Sequence, residues 1–205
     1  MTSDRDASQL QAWRDGDRRA GNELFQRHFE PVRRFFVNKV DAEAAELVQK
    51  TFLRCVGAQV RFEGRSSFRT FLFAIAHNVL REHYRDRRKA ERQDDIDERS
   101  VVDLGAGPST ALSAKREQRA LLMALRQIPL KFQVLLELYF WERLTGPQLG
   151  EVLGIPEDTA RSRLRRGKEL LRASLREVAG SAEIAQSTAG DLDGWAAAVR
   201  QRMGR

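Results

Sequence analysis

The 205-residue chain carries 36 Lys and Arg against 29 Asp and Glu, a formal net charge of +7, and 41% of its residues are hydrophobic. That apolar fraction excludes wholesale disorder and suits one or two small packed domains. A single cysteine, Cys55, excludes an intramolecular disulfide framework and a multi-cysteine zinc site. No apolar run approaches the roughly 20 residues needed to cross a bilayer. Residues 1–6 lack the charged-then-apolar order of a secretory leader, so the chain is expected to be cytoplasmic, without membrane insertion. Its basic balance makes a polyanion the first partner to consider.

Apolar residues recur at helical spacing and no long period-2 stretch is present, which predicts an all-α fold. The first block spans residues 10–92. Leu24, Phe25, Phe29, Val32, Phe36 and Val40 form one stripe, with Pro31 marking a helix start. A second helix, over residues 41–56, is expected to bury Leu47, Val48, Phe52 and Val56 behind an acidic first turn that suits the helix dipole. Residues 57–67 read as a loop, with Gly57, Gly64, Ser66 and Ser67. A long helix follows, with Phe68, Phe71, Leu72, Ile75, Ala76, Val79 and Leu80 at i, i+3, i+4 spacing, and it ends in a charge run over residues 85–92.

Around this helix, aromatic side chains alternate with Arg61, Arg65, Arg69, Arg81 and Arg85. Stacking faces beside phosphate-neutralising cations suit unpaired bases, each stack contributing ~1–3 kcal/mol. Phe68, Phe71 and Ile75 lie on the stripe and read as core. Phe73 lies off it and is the expected exposed aromatic.

Residues 93–113 change character: Asp94, Asp95, Asp97, Glu98 and Asp103 precede a Gly105-Ala106-Gly107-Pro108-Ser109 run. The composition predicts a flexible acidic linker between two helical domains. Two readings apply to its charge, a mimic of nucleic acid beside the basic helix end or a solvated tether, and the tether is the plainer one.

The second domain, residues 114–178, opens with a helix carrying Leu121, Leu122, Leu125 and Ile128, closed by Pro129, and a helix with Phe132, Leu135 and Leu138. Residues 144–166 then give a short helix, a Leu153-Gly154-Ile155 turn and a longer helix, the pattern of a helix-turn-helix. The last helix holds Arg161, Arg163, Arg165, Arg166, Lys168 and Arg172 directly after the turn, where a recognition helix meets base edges and phosphates. Residues 179–205 form an extension in which Leu192, Trp195, Ala196, Val199 and Met203 share one helical face.

Catalytic patterns are missing. His28, His77 and His83 are scattered, and there is neither a GxxxxGK[ST] phosphate loop nor a Ser/His/Asp arrangement around a nucleophile turn. Cys55 reads as a packed thiol, and Trp13, Trp141 and Trp195 as packing residues. The chain is not expected to be an enzyme or to need a cofactor.

Residues 43–52 (EAAELVQKTF), 68–78 (FRTFLFAIAHN) and 144–166, in that order and spacing, resemble the extracytoplasmic-function (ECF) sigma factors of bacteria, small two-domain members of the sigma-70 family. The resemblance covers about residues 10–178. It implies that the first domain docks on the bacterial RNA polymerase core and opens the −10 element, while the second binds the −35 element as duplex. By motif position Glu43, Glu46 and Gln49 would meet the core polymerase. Arg61, Phe62, Arg65, Phe73, His77, Asn78 and Arg81 would lie at the −10 DNA, with the loop over residues 57–67 capturing a flipped base. Arg161, Ser162, Arg165, Arg166 and Lys168 would face the −35 groove. The linker would thread toward the RNA exit path, and an anti-sigma factor is a possible partner. The chain differs from the family pattern at Ala45, Lys50, Phe71, His77 and Gly146-Pro147. The alternative from another class is a helix-turn-helix regulator that binds duplex DNA as a dimer, using only the second domain.

Overall fold

A computed structural model of the chain describes residues 2–40, 42–87, 96–104 and 116–178, together with Gly194. In chain order its helices are α1 (Thr2–Arg14), α2 (Arg18–Val37), α3 (Ala44–Ala58), α4 (Phe68–Arg87), α5 (Arg116–Gln127), α6 (Leu130–Phe140), α7 (Gly146–Leu153) and α8 (Glu157–Val178). Short 3-10 turns follow α3 at Gln59–Arg61 and precede α5 at Ile96–Glu98. The amphipathic face expected over residues 192–203 lies outside the described residues.

Helix α2 starts earlier than its proline suggests. The Asp17 carboxylate accepts from the backbone N–H groups of Arg19 and Ala20, satisfying two donors that the first turn leaves orphaned. Pro31 therefore sits inside the helix, which corrects the expectation that it marks a start. An interior proline costs ~3 kcal/mol. The same face buries Leu24, Val32 and Phe36 completely, and at ~1.5–3 kcal/mol each these outweigh it.

In α3 the inward stripe is Leu47, Val48, Thr51 and Cys55. Val56 follows Cys55 by one residue, a rotation of about 100°, and is 45% exposed instead of buried. The Cys55 thiol has no exposure, and burial pushes it up to about 12, as fits a packing residue. Helix α4 buries Phe68, Leu72, Ala76, Val79 and Leu80 as its spacing predicts, while Phe71 and Ile75, expected in the core, are only half-buried. Phe73, expected at the surface, is fully buried with its ring 5.8 Å from that of Phe35, because α2 covers this side of α4 as well.

The second module packs α5, α6 and α8 around Leu121, Leu122, Leu125, Phe132, Leu136, Trp141, Leu171 and Leu175. Its α7–α8 pair is a helix-turn-helix. Gln148 Oε1 accepts from the Thr145 backbone N–H at the start of α7, and Gly154 ends that helix in the left-handed region, φ +66°. Gly150 lets the turn fold back, since a Cβ there would lie 2.7 Å from the Ile155 carbonyl oxygen.

Residues 96–104 are not a free tether. Val101 has no exposure and Leu104 only 6%. The Leu130 N–H donates to the Arg99 carbonyl at 2.7 Å, and Val102 N–H to the Arg126 carbonyl at 3.3 Å. Two apolar side chains were enough to dock this part of the acidic segment. The modules themselves meet: one apolar cluster runs from Val40, Ala76 and Leu80 to Val134, Leu138 and Val152. Charged groups cross the same contact, with Lys39 paired to Glu137 and both Arg34 and Arg69 paired to Glu142.

Replacing Gly150 should break the turn of the helix-turn-helix. Gly150→Ala is expected to destabilise the chain by ~1–3 kcal/mol, because the opposing group is backbone and cannot step aside. Gly57→Ala, whose Cβ would meet nothing within 4 Å, should be neutral or stabilising by up to ~1 kcal/mol. Thermal unfolding compares the two, and equal midpoints would contradict the packing described.

Candidate nucleic-acid interface

The end of α3, the turn after it and the middle of α4 enclose a cleft of about 460 Å³. Gly57, Ala58 and Ile75 give it an apolar lining, while Arg54, Arg61, Arg81 and Arg85 bring guanidinium groups and Asn78 an amide. The Glu82 carboxylate on its wall takes two hydrogen bonds from Arg54, at 2.7 and 2.6 Å, with Lys50 at 3.6 Å. Hydrogen bonding from Arg54 holds the Glu82 carboxyl below its ordinary value. With that carboxylate occupied, the cleft offers a flat apolar surface among donors and positive charge, suited to a base and the phosphates beside it.

The loop leading into the cleft is pinned from α1. The Arg14 guanidinium donates to the carbonyls of Gln59 and Phe62 and lies 5.9 Å from the centre of the Phe62 ring. Phe62 in turn packs on Phe71 with centroids 4.6 Å apart. Arg14 is a positioning residue that sequence reasoning missed, since nothing in its local pattern marks a contact 45 residues away.

Of the residues expected at the −10 DNA, the structure brings Arg61, Asn78 and Arg81 together in the cleft, with half-buried Phe62 in the adjoining loop. Arg65 is exposed and paired with Glu63. Phe73 and His77 are not at the surface. His77 is 7% exposed and hydrogen-bonded to the backbone of Val152 in α7. Burial, then repulsion from Arg81, pushes its imidazole down to about 4, so it is neutral at pH 7.

On the outer side of α3, Glu46 and Gln49 are exposed, and Glu43 pairs with Arg87 at 3.3 Å. The same side continues with Leu53, Val56 and Val60, which are 63%, 45% and 78% exposed. Positions 46, 49, 53, 56 and 60 repeat at intervals of three and four. That period was the available signal for an exposed apolar row.

Helix α8 presents Arg161, Ser162, Arg165 and Arg166 to solvent. Arg161 pairs with Glu157 one turn earlier, and Arg166 with Glu169 at 3.1 Å. Lys168 departs from this row: its ammonium lies 4.8 Å from the Tyr139 ring centre and 5.1 Å from that of Phe140, turned toward α6. Lys168 is half-buried, where Arg161, Ser162, Arg165 and Arg166 are exposed.

His77 gives the contact between modules a pH dependence. Its folded-state value of about 4 lies below the ordinary 6.5, so its contribution to stability is complete above pH 6.5 and is lost as pH falls through 4. The loss expected between those limits is about 3 kcal/mol. Urea unfolding at pH 7 and pH 4 measures it, and His77→Asn should remove that part of the difference. An identical pH response in the variant would contradict the assignment.

Comparison with known proteins agrees with this geometry. Residues 24–90 match the Sigma-70 region 2 family and residues 118–171 match Sigma-70, region 4. The chain is 31% identical over 175 residues to the RNA polymerase sigma factor CarQ of Myxococcus xanthus, covering 82% of this chain and 97% of that one. It is 26% identical over 144 residues to the ECF RNA polymerase sigma factor SigW of Bacillus subtilis, covering 66% and 77%. The fold is shared with the sigma factor RpoE of Bartonella quintana, solved in complex with the anti-sigma factor NepR: TM-score 0.60 and 17% identity, covering 76% and 96%. The chain belongs to the ECF sigma factors of the sigma-70 family, non-catalytic RNA polymerase subunits that bind the core enzyme and promoter DNA to initiate transcription.

Proposed function

We propose that promoter recognition is divided between the two modules. The first, residues 10–92, attaches to the core polymerase through the outer side of α3 and takes unpaired −10 bases into the cleft between α3 and α4. The second, residues 114–178, reads −35 duplex through Arg161, Ser162, Arg165 and Arg166 of α8. The observation that carries this reading is the cleft, where Arg61, Asn78 and Arg81 converge on an apolar lining. Strand opening is favoured because bases that leave the duplex gain stacking and charge contacts there.

The polymerase contact is extended beyond Glu43, Glu46 and Gln49. Leu53, Val56 and Val60 continue the row that begins at Glu46 and Gln49, and exposed apolar side chains rimmed by polar ones are typical of a protein interface. A dimeric helix-turn-helix regulator would use neither this row nor the cleft. An anti-sigma partner, of the kind captured with RpoE, belongs to the same proposal.

Three variants test the division of labour. Glu46→Lys and Leu53→Asp should each weaken assembly with purified core polymerase about tenfold or more, equivalent to ~1.4 kcal/mol, while binding to −35 duplex is unchanged. Undiminished assembly in a pull-down would count against the α3 face. Arg166→Ala should weaken cognate promoter binding by ~1–3 kcal/mol and relax selection at one base pair. Normal run-off transcription from the cognate promoter would remove Arg166 from the reading set.

A further inference from the structure

The contact between the modules has an unusual sign pattern. Among the described residues, four ion pairs across it set cations of the first module against carboxylates of the second module or of the strap before it, while Arg126 of α5 donates the other way, to the Asn38 carbonyl at 3.2 Å. Lys39, with no exposure, pairs with Glu137. Arg34 donates to Glu142 Oε1 at 3.0 Å, and Arg69 donates to Glu142 Oε2. Arg81, on the cleft, meets Asp97 of the strap at 3.5 Å. Glu137 is further held by the amides of Asn38 at 3.2 Å and Gln133 at 2.9 Å.

The same contact concentrates polar groups that remain unsatisfied. Among the described residues, seven buried side-chain polar atoms have no hydrogen-bond partner, and four are here: Arg34 Nε, Asn38 Oδ1, Arg69 Nε and Gln133 Oε1. Interfaces built to be permanent satisfy such groups or replace them with apolar side chains. Burial also holds the Lys39 ammonium below its ordinary value, with Glu137 opposing that fall. Separation of the modules would return these groups to water.

We propose that Arg34, Lys39 and Arg69 are a latent phosphate-binding row, and that Glu137 and Glu142 occupy it as stand-ins for DNA phosphates in the free chain. A carboxylate accepting from a guanidinium presents the same paired acceptors as a phosphate. Arg69 and Arg81 lie on α4 with His77 between them, and α7 seats Val152 on His77. Arg81 links the two places, since it lines the cleft and pairs with Asp97 of the strap; when the second module and the strap move away, the backbone of a single strand leaving the cleft passes Arg81 toward the row. The proposal rests on the reading that the cleft binds single-stranded DNA.

The test uses the full chain without polymerase and a short fluorescein-labelled single-stranded oligodeoxynucleotide, followed by anisotropy over a range of salt. The double variant Glu137→Gln/Glu142→Gln should bind it about tenfold or more tighter than the native chain. Arg69→Gln, which removes one cation of the row, should lower the log–log salt slope by about 0.7, the share of one cation on a single strand. A second measurement needs no change at the contact. Dyes placed through Asp15→Cys and Glu177→Cys, both at exposed sites, should lose energy transfer when the oligonucleotide saturates the chain. Equal affinity in native and double-variant chains, an unchanged slope in Arg69→Gln, or energy transfer unchanged at saturation, overturns the proposal. Arg61→Ala separates the two readings. If it abolishes binding while the double variant shows no gain, the cleft stands and the latent row falls. If Arg61→Ala has no effect, or no chain binds, the cleft reading falls and the row with it.

Discussion

Lys39 is the point on which the arrangement of the chain turns. An ammonium with no exposure to water must be neutralised within hydrogen-bond reach or give up its proton. The partner comes from the other module, Glu137, itself fixed by Asn38 and Gln133. Removing each ion from water costs several kcal/mol, and the mutual attraction returns about as much. The pair therefore adds little net attraction, yet either charge left alone would be costly. Attraction between the modules is left to the apolar side chains around it, Val40, Leu80, Val134 and Leu138 among them. Such a contact is specific in register and modest in strength.

That balance matters for a transcription subunit with a net charge of +7. Cations that serve DNA attract any polyanion, and their affinity falls steeply with salt. In this structure the acids of the second module and of the strap stand opposite the cations of the first. The strap illustrates it well. Its composition reads as a solvated tether, yet Val101 and Leu104 anchor it and Asp97 meets Arg81 of the first module, while Glu98 meets Lys131 of the second. The recognition helix of the second module keeps Arg165 and Arg166 at the surface throughout. Duplex reading is thus open in the arrangement that covers His77.

The all-helical fold and the helix-turn-helix were legible because they are local. Periodicity along α4, the Gly154 turn and the arginines after it need no knowledge of the rest of the chain. Asn78, Arg61 and Arg81 were legible through motif position, and the structure brings them to one cleft. What failed was set by tertiary contact. Phe73 lies off the main stripe of α4, but α2 covers that side too. Val56 is expected inside with Leu47, Val48 and Phe52, although the helical period carries it outward with Leu53. Pro31 signals a helix start only where no earlier cap competes, and Asp17 supplies one. Lys168 follows the exposed arginines in sequence, and its ammonium lies beside the Tyr139 and Phe140 rings, a contact that the local pattern does not announce. The ion pairs that Glu137 and Glu142 make with the first module join residues 73 to 108 positions apart, beyond the reach of any sequence pattern.

The most direct measurement is the reactivity of the Lys39 amine toward an acylating reagent, read by mass spectrometry of the free chain and of its complex with core polymerase in the absence of DNA. The account predicts that Lys39 is protected in the free chain and becomes labelled once the polymerase holds the modules apart. Equal labelling in the two states, whether high or low, would contradict it.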